Sequence, residues 1–383
     1  MADFNRDLLT KICLLKHQNQ STEIKVSYMS KKILITGGAG FVGSSLALGL
    51  KKLHSDWQII CLDNLRRRGS ELNLPRLKAL GIEFAHGDVR FTDDLDSEVF
   101  DIDVIIDCSA EPSVLAGLNS PQYVLQTNLI GTINILELAR KSDADLIFLS
   151  TSRIYSIAPL SSLNIVETAT RLELAESQTI AGVSDAGITE DFPINSYRSL
   201  YGTTKLASEL LIAEYRQAYG LQAIIDRCGI LTGPWQMGKV DQGVIVLWVA
   251  AHYFQKSLKY IGYGGTGKQV RDFLHIHDLL KLIDYQLNNF PLCDGDVLNV
   301  GGGRYSNLSL QELTSVCQQV TGNKIEIEPV TTERVGDIPI FITDCDRLKQ
   351  KTQWQPTIEP EKTIEDIYRW ILNYEDSLRP ILS

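Results

Sequence analysis

The stretch "SLYGTTKLASELL", Ser199 to Leu211, places a phenol and an ammonium, Tyr201 and Lys205, four residues apart. At α-helical pitch they lie one turn apart on the same face, so the ammonium sits beneath whatever the phenol touches. Such a pair can do acid–base chemistry on a bound hydroxyl. The same spacing also describes a surface pair worth roughly a few tenths of a kcal/mol, and the rest of the chain must decide between the two.

A second cluster lies near the start. Directly after the apolar run "KKILIT" comes "TGGAGFVGSSLALGL", in which Gly37, Gly40 and Gly43 are evenly spaced and Gly38, Gly40 and Gly43 satisfy G-x-G-x-x-G. The glycines permit a tight turn and close backbone approach. A helix opening at Phe41, Val42 and Gly43 then aims its N–H groups and positive dipole end at a pyrophosphate. Asp63, in "IICLDN", ends the next strand about twenty residues further on, where a carboxylate bonds the ribose hydroxyls of NAD and repels a 2′-phosphate. Asn64 follows it. The basic run Arg66–Arg68 could accept such a phosphate, but reads better as a solvated loop. Asp88 and Val89, in "HGDVR", end the third strand near an adenine.

The elements that must hold these clusters follow from periodicity. "KILIT", "WQIICLD", "IEFAHGD", "DVIIDCS", "DLIFLST" and "QAIIDRC" read as strands alternating with helices, which predicts an α/β fold with a doubly wound parallel sheet. The NAD-binding domain is expected mainly over residues 29–234. A smaller C-terminal α/β lobe is expected over 235–383, with helices near 243–255, 277–289, 309–321 and 359–374 and short strands at "LKYIG" and "DVLNVG". Ser309 and Glu312 have capping-box spacing. Residues 1–28 precede the fold signal and read as an extension, with Met29 a possible start. The stretch from Tyr155 to Tyr201 has no sustained period and is expected to be a lid.

Composition narrows the function further. A formal charge of −10 over 383 residues argues against nucleic acid or an anionic membrane as a partner. The seven cysteines are scattered without C-x-x-C spacing, as expected of reduced residues in a cytoplasmic protein rather than a disulfide frame or metal site. No apolar run is long enough to span a bilayer.

From about Lys31 to Trp370 the chain resembles the extended short-chain dehydrogenases that act on nucleotide sugars, through "TGGAGFVG", "HGDVR", "SAEPSV", "NLIGTINILELA", "FLSTSRIY", "LYGTTK" and "GKQVRDFLHIHDL". Within that family it is most similar to the CDP-paratose 2-epimerases, through "DQGVIVLWV", "GTGKQVRDFLH" and "NVGGG" followed by "NLSLQEL". The resemblance implies a Rossmann domain binding NAD, with Ser109, Ala110 and Asn128 joining the cofactor contacts. It assigns Tyr201 as proton carrier, Lys205 as the cation that lowers its pKa, and Thr151 as the hydroxyl that positions the substrate.

The resemblance also implies substrate contacts from Glu111, Ser152, Arg153 and Gln242, with Arg271 binding the diphosphate of a nucleotide-linked sugar. His275 and His277 read as structural. Leu200 stands where the family usually has proline. Dehydratases of the family carry Asp-Glu directly after the Ser/Thr, whereas this chain has Ser152 and Arg153. Oxidation with re-reduction, an epimerisation at carbon 2 of a CDP-deoxyhexose, is therefore expected over elimination. A 4-epimerase, a dehydratase or decarboxylase, and a non-catalytic NAD-binding protein are the alternatives. A homodimer is expected through helices near 121–140 and 201–219.

Overall fold

The alternating apolar runs form the elements of a computed structural model that describes residues 30–96, 100–238, 242–334 and 336–383. In chain order those that position the site are β1 (Lys32–Thr36), α1 (Phe41–Leu53), β2 (Gln58–Asp63), β3 (Glu83–His86), β4 (Val104–Asp107), α2 (Gly131–Ser142), β5 (Asp145–Thr151), α3 (Leu200–Tyr219), β6 (Ala223–Cys228), α4 (Val244–Phe254), β7 (Val270–His275), α5 (Ile276–Asn288), β8 (Val297–Val300), α6 (Leu310–Thr321) and α7 (Pro360–Asn373).

Seven strands make one parallel sheet in the order β8-β6-β5-β4-β1-β2-β3. Leu46 and Leu50 of α1 with Leu279 and Ile283 of α5 cover one face, and Ile135 and Leu136 of α2 with Ile212 of α3 cover the other. Burial on both faces explains why the strands are near-continuous Ile, Val and Leu. Each such side chain contributes about 1.5–3 kcal/mol. The strand order reverses between β1 and β4, which opens a crevice at their carboxyl ends where ligands of such sheets bind.

A further core packs Val249 of α4 against Leu313 and Cys317 of α6 and Ile364, Ile367 and Trp370 of α7. The capping box at its α6 start is formed: Ser309 accepts from the Glu312 N–H, and Glu312 accepts from the Ser309 N–H. One element falls elsewhere than expected. "DVLNVG" is β8, the edge strand of the main sheet, paired in register Val297 to Ile225. Its buried Leu298 and Val300 extend the first core, and α5 covers that core. Residues 276–300 thus return to the first layer structure.

The Tyr155–Tyr201 stretch is not a loose lid. Tyr155, Leu160, Leu163, Ile188 and Phe192 form a core of their own with Val270, Ile338, Ile340 and Phe341, and the Ile188 N–H donates to the Ile342 carbonyl at 2.8 Å. Apolar residues too irregular to show a period still bury together once the chain folds back. Among the described cysteines all are free, and Cys61, Cys228, Cys293 and Cys317 are buried. Cys13, Met29 and the 1–28 extension lie outside the described residues.

Candidate active site

At the end of β1 the chain turns through Gly37 to Gly40 and enters α1 with Gly40 as an uncapped N-cap and no acid in the first turn. A Cβ on Gly43 would drive into the Gly37 carbonyl. This turn therefore closes only with glycine, and it leaves the first N–H groups of α1 facing the crevice. That arrangement fits a dinucleotide pyrophosphate. A chamber of about 420 Å³ beside it is lined by Asp63, Asn64, Asp88, Val89, Ser109, Ala110 and Glu111. Asp63 accepts from the N–H groups of Ala39 (3.1 Å) and Leu65 (2.8 Å).

Against the cost of burial, the Arg90 guanidinium and the Asn64 amide hold the Asp88 carboxyl down to about 2. Of the basic run expected to be solvated, Arg67 is instead tied across the crevice, donating to the Met237 carbonyl at 2.7 Å and to Gln242. Gln242 in turn donates to Glu111 at 3.2 Å.

A larger cleft of about 790 Å³ continues from Phe41, Val42 and Gly43 past Thr151, Ser152, Arg153, Tyr201 and Lys205 to Gln242 and Arg271. None of its lining residues comes from 156–200. Ser199 caps α3 by accepting from the Gly202 N–H. The inner face of α3 then buries Tyr201, Lys205 and Glu209, at intervals of one turn. Thr151, at the end of β5, accepts from the Arg153 N–H at 3.2 Å.

Burial dominates the electrostatics of the tyrosine–lysine pair. Burial pushes the Tyr201 phenol up to about 12, opposed by the Thr151 hydroxyl and the Arg153 guanidinium. Lys205 is pulled down by burial and held up by Asp107, Cys108, Cys228 and Glu209, and its ammonium lies over the Phe148 ring. Taking a phenolate out of water costs more here than its neighbours return.

Two other assignments shift. Asn128 is buried with its amide committed: it accepts from the Glu111 N–H at 2.8 Å and donates to the Glu111 carbonyl and Thr204. It braces the wall behind the crevice rather than lining either cavity. Arg271 lines the cleft but is held by Asp337 at 2.7 Å. Buried His275 caps α5 through its ring nitrogen, accepting from the His277 N–H. Among the described residues no cluster could hold a metal ion.

The cleft is also lined by Lys259, Gln269 and Arg334 among apolar walls from Trp248, Leu308 and Leu313, residues the sequence reading passed over. Only Gln269 carried a signal, being two residues before Arg271 and so on the same side of an extended chain. It is 6 % exposed; its Nε2 donates to the Ile261 carbonyl, and among the described residues its Oε1 has no partner.

The chain is similar to known proteins over most of its length. It is 29% identical over 351 residues to the CDP-paratose 2-epimerase of Salmonella typhi, covering 88% of this chain and 98% of that one. It is 29% identical over 344 residues to a putative UDP-glucose 4-epimerase of Methanocaldococcus jannaschii, covering 89% and 98%. Among solved structures, the dTDP-glucose 4,6-dehydratase of Bacillus anthracis in complex with NAD superposes with a TM-score of 0.72 at 25% identity, covering 92% of this chain and 100% of that one. The family described as NAD dependent epimerase/dehydratase matches residues 33–301, from β1 through β8. A match running across every strand of the main sheet makes this chain a member of the NAD-dependent epimerase/dehydratase family.

Proposed function

We propose that the chain epimerises a CDP-linked deoxyhexose at carbon 2, with Tyr201 as proton carrier and Thr151 orienting the reacting hydroxyl. NAD, when bound, supplies the acceptor and donor of hydride. The observation that carries this reading is the pair after Thr151. Elimination of water needs an acid for the leaving hydroxyl and a base for the carbon, and here those positions are Ser152 and Arg153. Glu111, on the wall of the crevice, is already engaged by the Ser113 N–H and by Gln242.

Gln269 borders the large cleft, and an amide there suits cytosine, whose exocyclic amino group needs an acceptor, whereas uracil presents a carbonyl. Arg271 and Arg334, which line the same cleft, suit the diphosphate.

Incubating the purified protein with CDP-, UDP- and GDP-sugars and reading products by NMR tests the reading. A CDP-sugar inverted at carbon 2 at unchanged mass, keeping a deuterium placed there, is expected. Inversion at carbon 4, loss of water, or solvent label on carbon 2 would each replace it.

The same reading includes a homodimer through α3 and the helical run over 121–140, where Leu125, Leu210 and Tyr219 are 40, 63 and 60% exposed. Light scattering after gel filtration at twice the 42.8 kDa chain mass is the expected result. A cytoplasmic site is proposed from the free cysteines. No helix among the described residues is long and apolar enough to cross a membrane.

A further inference from the structure

The buried face of α3 holds little that could set its position by apolar packing. Tyr201 apart, it buries Gly202, Thr204, Lys205, Ser208 and Glu209, with Ile212 as its one buried aliphatic side chain. Apolar contact is non-directional, and so little of it leaves the register of the helix to its polar contacts. On one flank Thr204 accepts from the Asn128 amide at 3.1 Å, and Ser208 donates to the Thr132 hydroxyl at 3.1 Å. Toward the sheet the tie is Glu209.

The Glu209 carboxylate is clamped from two neighbouring strands. Ser150 of β5 and Arg227 of β6 stand opposite each other in the parallel register. Arg227 donates through Nε to both carboxylate oxygens at 3.2 Å and through Nη2 at 2.8 Å, and the Ser150 hydroxyl donates to Oε1. The Arg227 and Glu209 side chains are 9 and 5% exposed. Arg227 is itself held from behind: its Nη1 donates to the Glu190 carbonyl at 3.3 Å and to the Tyr155 hydroxyl at 3.4 Å, and Tyr155 donates to Asn299 at 2.6 Å.

The next residues along the two strands, Thr151 and Cys228, are also paired, and they line the large cleft with Tyr201 and Lys205. The clamp therefore grips α3 about two turns after Tyr201, one residue back along the strands from the site. A buried ion pair adds little net stability over apolar side chains of similar size. What it adds is direction, because a forked guanidinium on a carboxylate tolerates little sliding. A misplacement of about 1 Å at reacting groups costs roughly 10²-fold in rate, so the position of α3 along the sheet bears on catalysis.

We propose that Glu209 is a positioning residue for catalysis: clamped by Arg227 and Ser150, it fixes where α3 stands along β5 and so sets Tyr201 against Thr151. The proposal rests on Tyr201 being the proton carrier. It also gives the 155–192 core a task, since Tyr155 and the Glu190 carbonyl keep Arg227 on Glu209.

Two variants of the full chain test it. Glu209→Met/Arg227→Met replaces the pair by apolar side chains of comparable length, a change that buried ion pairs tolerate. Glu209→Asp keeps the charge pair and shortens its reach by one methylene, and serves if the double variant does not fold. Bound NAD and melting temperature are the folding controls. The rate and KM are followed by NMR on a CDP-deoxyhexose, and crystal structures of the NAD-bound proteins show where Tyr201 stands relative to Thr151 without any sugar.

In both variants kcat is expected to fall by roughly 10²-fold with KM and bound NAD close to the parent, and Tyr201 to be displaced by about 1 Å or more. Tyr201 at its parent position, parent kcat in a folded variant, or a loss confined to KM overturns the proposal. Failure of the underlying reading shows separately: Tyr201→Phe then turns over at the parent rate, while the crystals still show the displacement.

Discussion

The Lys205 ammonium lies over the Phe148 ring, 4.2 Å from its centroid. The lysine therefore reaches down between α3 and β5 toward Asp107, and does not lie flat along its helix. A slot of this shape accepts a slender ammonium and not a broad planar guanidinium. Lys205→Met is expected to lower turnover by roughly 10²-fold or more, and Lys205→Arg is expected not to restore it. Rates followed by NMR on the converted nucleotide sugar check this, and full activity in the arginine variant would contradict the slot.

Tyr201→Phe removes the proton carrier and leaves the buried ring. Turnover is expected to fall by roughly 10²-fold or more with bound NAD and melting temperature close to the parent. Near-normal turnover would take Tyr201 out of the reaction.

A cycle with no net redox change has no need to release its cofactor, so NAD is expected to copurify and to appear on denaturation. Gly43→Ala forces a Cβ into the Gly37 carbonyl and should strip the bound nucleotide from the protein. Chromatography of the released nucleotide checks both; mainly NADP, or unchanged NAD in Gly43→Ala, would count against the cradle.

Asp226 on β6 is fully buried, and burial pushes its carboxyl up to about 7, with Gln286 opposing and Asp296 adding to the rise. An ordinary aspartate ionises near pH 4. Between those values the folded state keeps a proton that the unfolded state has released, so this group's contribution is complete below about pH 4 and is lost as pH rises through about 7. Asp226→Asn, which retains an acceptor for the Gln286 amide (2.9 Å in the parent), is expected to melt higher than the parent at pH 8 by roughly 2 °C or more. The gap should narrow toward pH 5. A variant less stable at pH 8, or a gap independent of pH, would overturn the assignment.

What the sequence determined by itself is local. Strand, glycine turn, helix and terminal acid from Lys32 to Asp63 lie in one continuous run, and their steric and dipolar demands are met by neighbours in the chain. The Tyr201–Lys205 spacing and the Ser309 capping box were legible because a helix fixes which residues share a face. Tertiary structure decided where those side chains point and whom they meet. Lys205 turns to Phe148, Arg153 reaches the Gly336 carbonyl, and Asn128 commits its amide to Glu111 and Thr204. Arg67 and Gln242 meet across 175 residues, and β8 returns to the sheet beside β6. Such pairings are set by the packing of distant segments and by the cost of leaving a buried polar group unmatched. Neither leaves a period in the sequence.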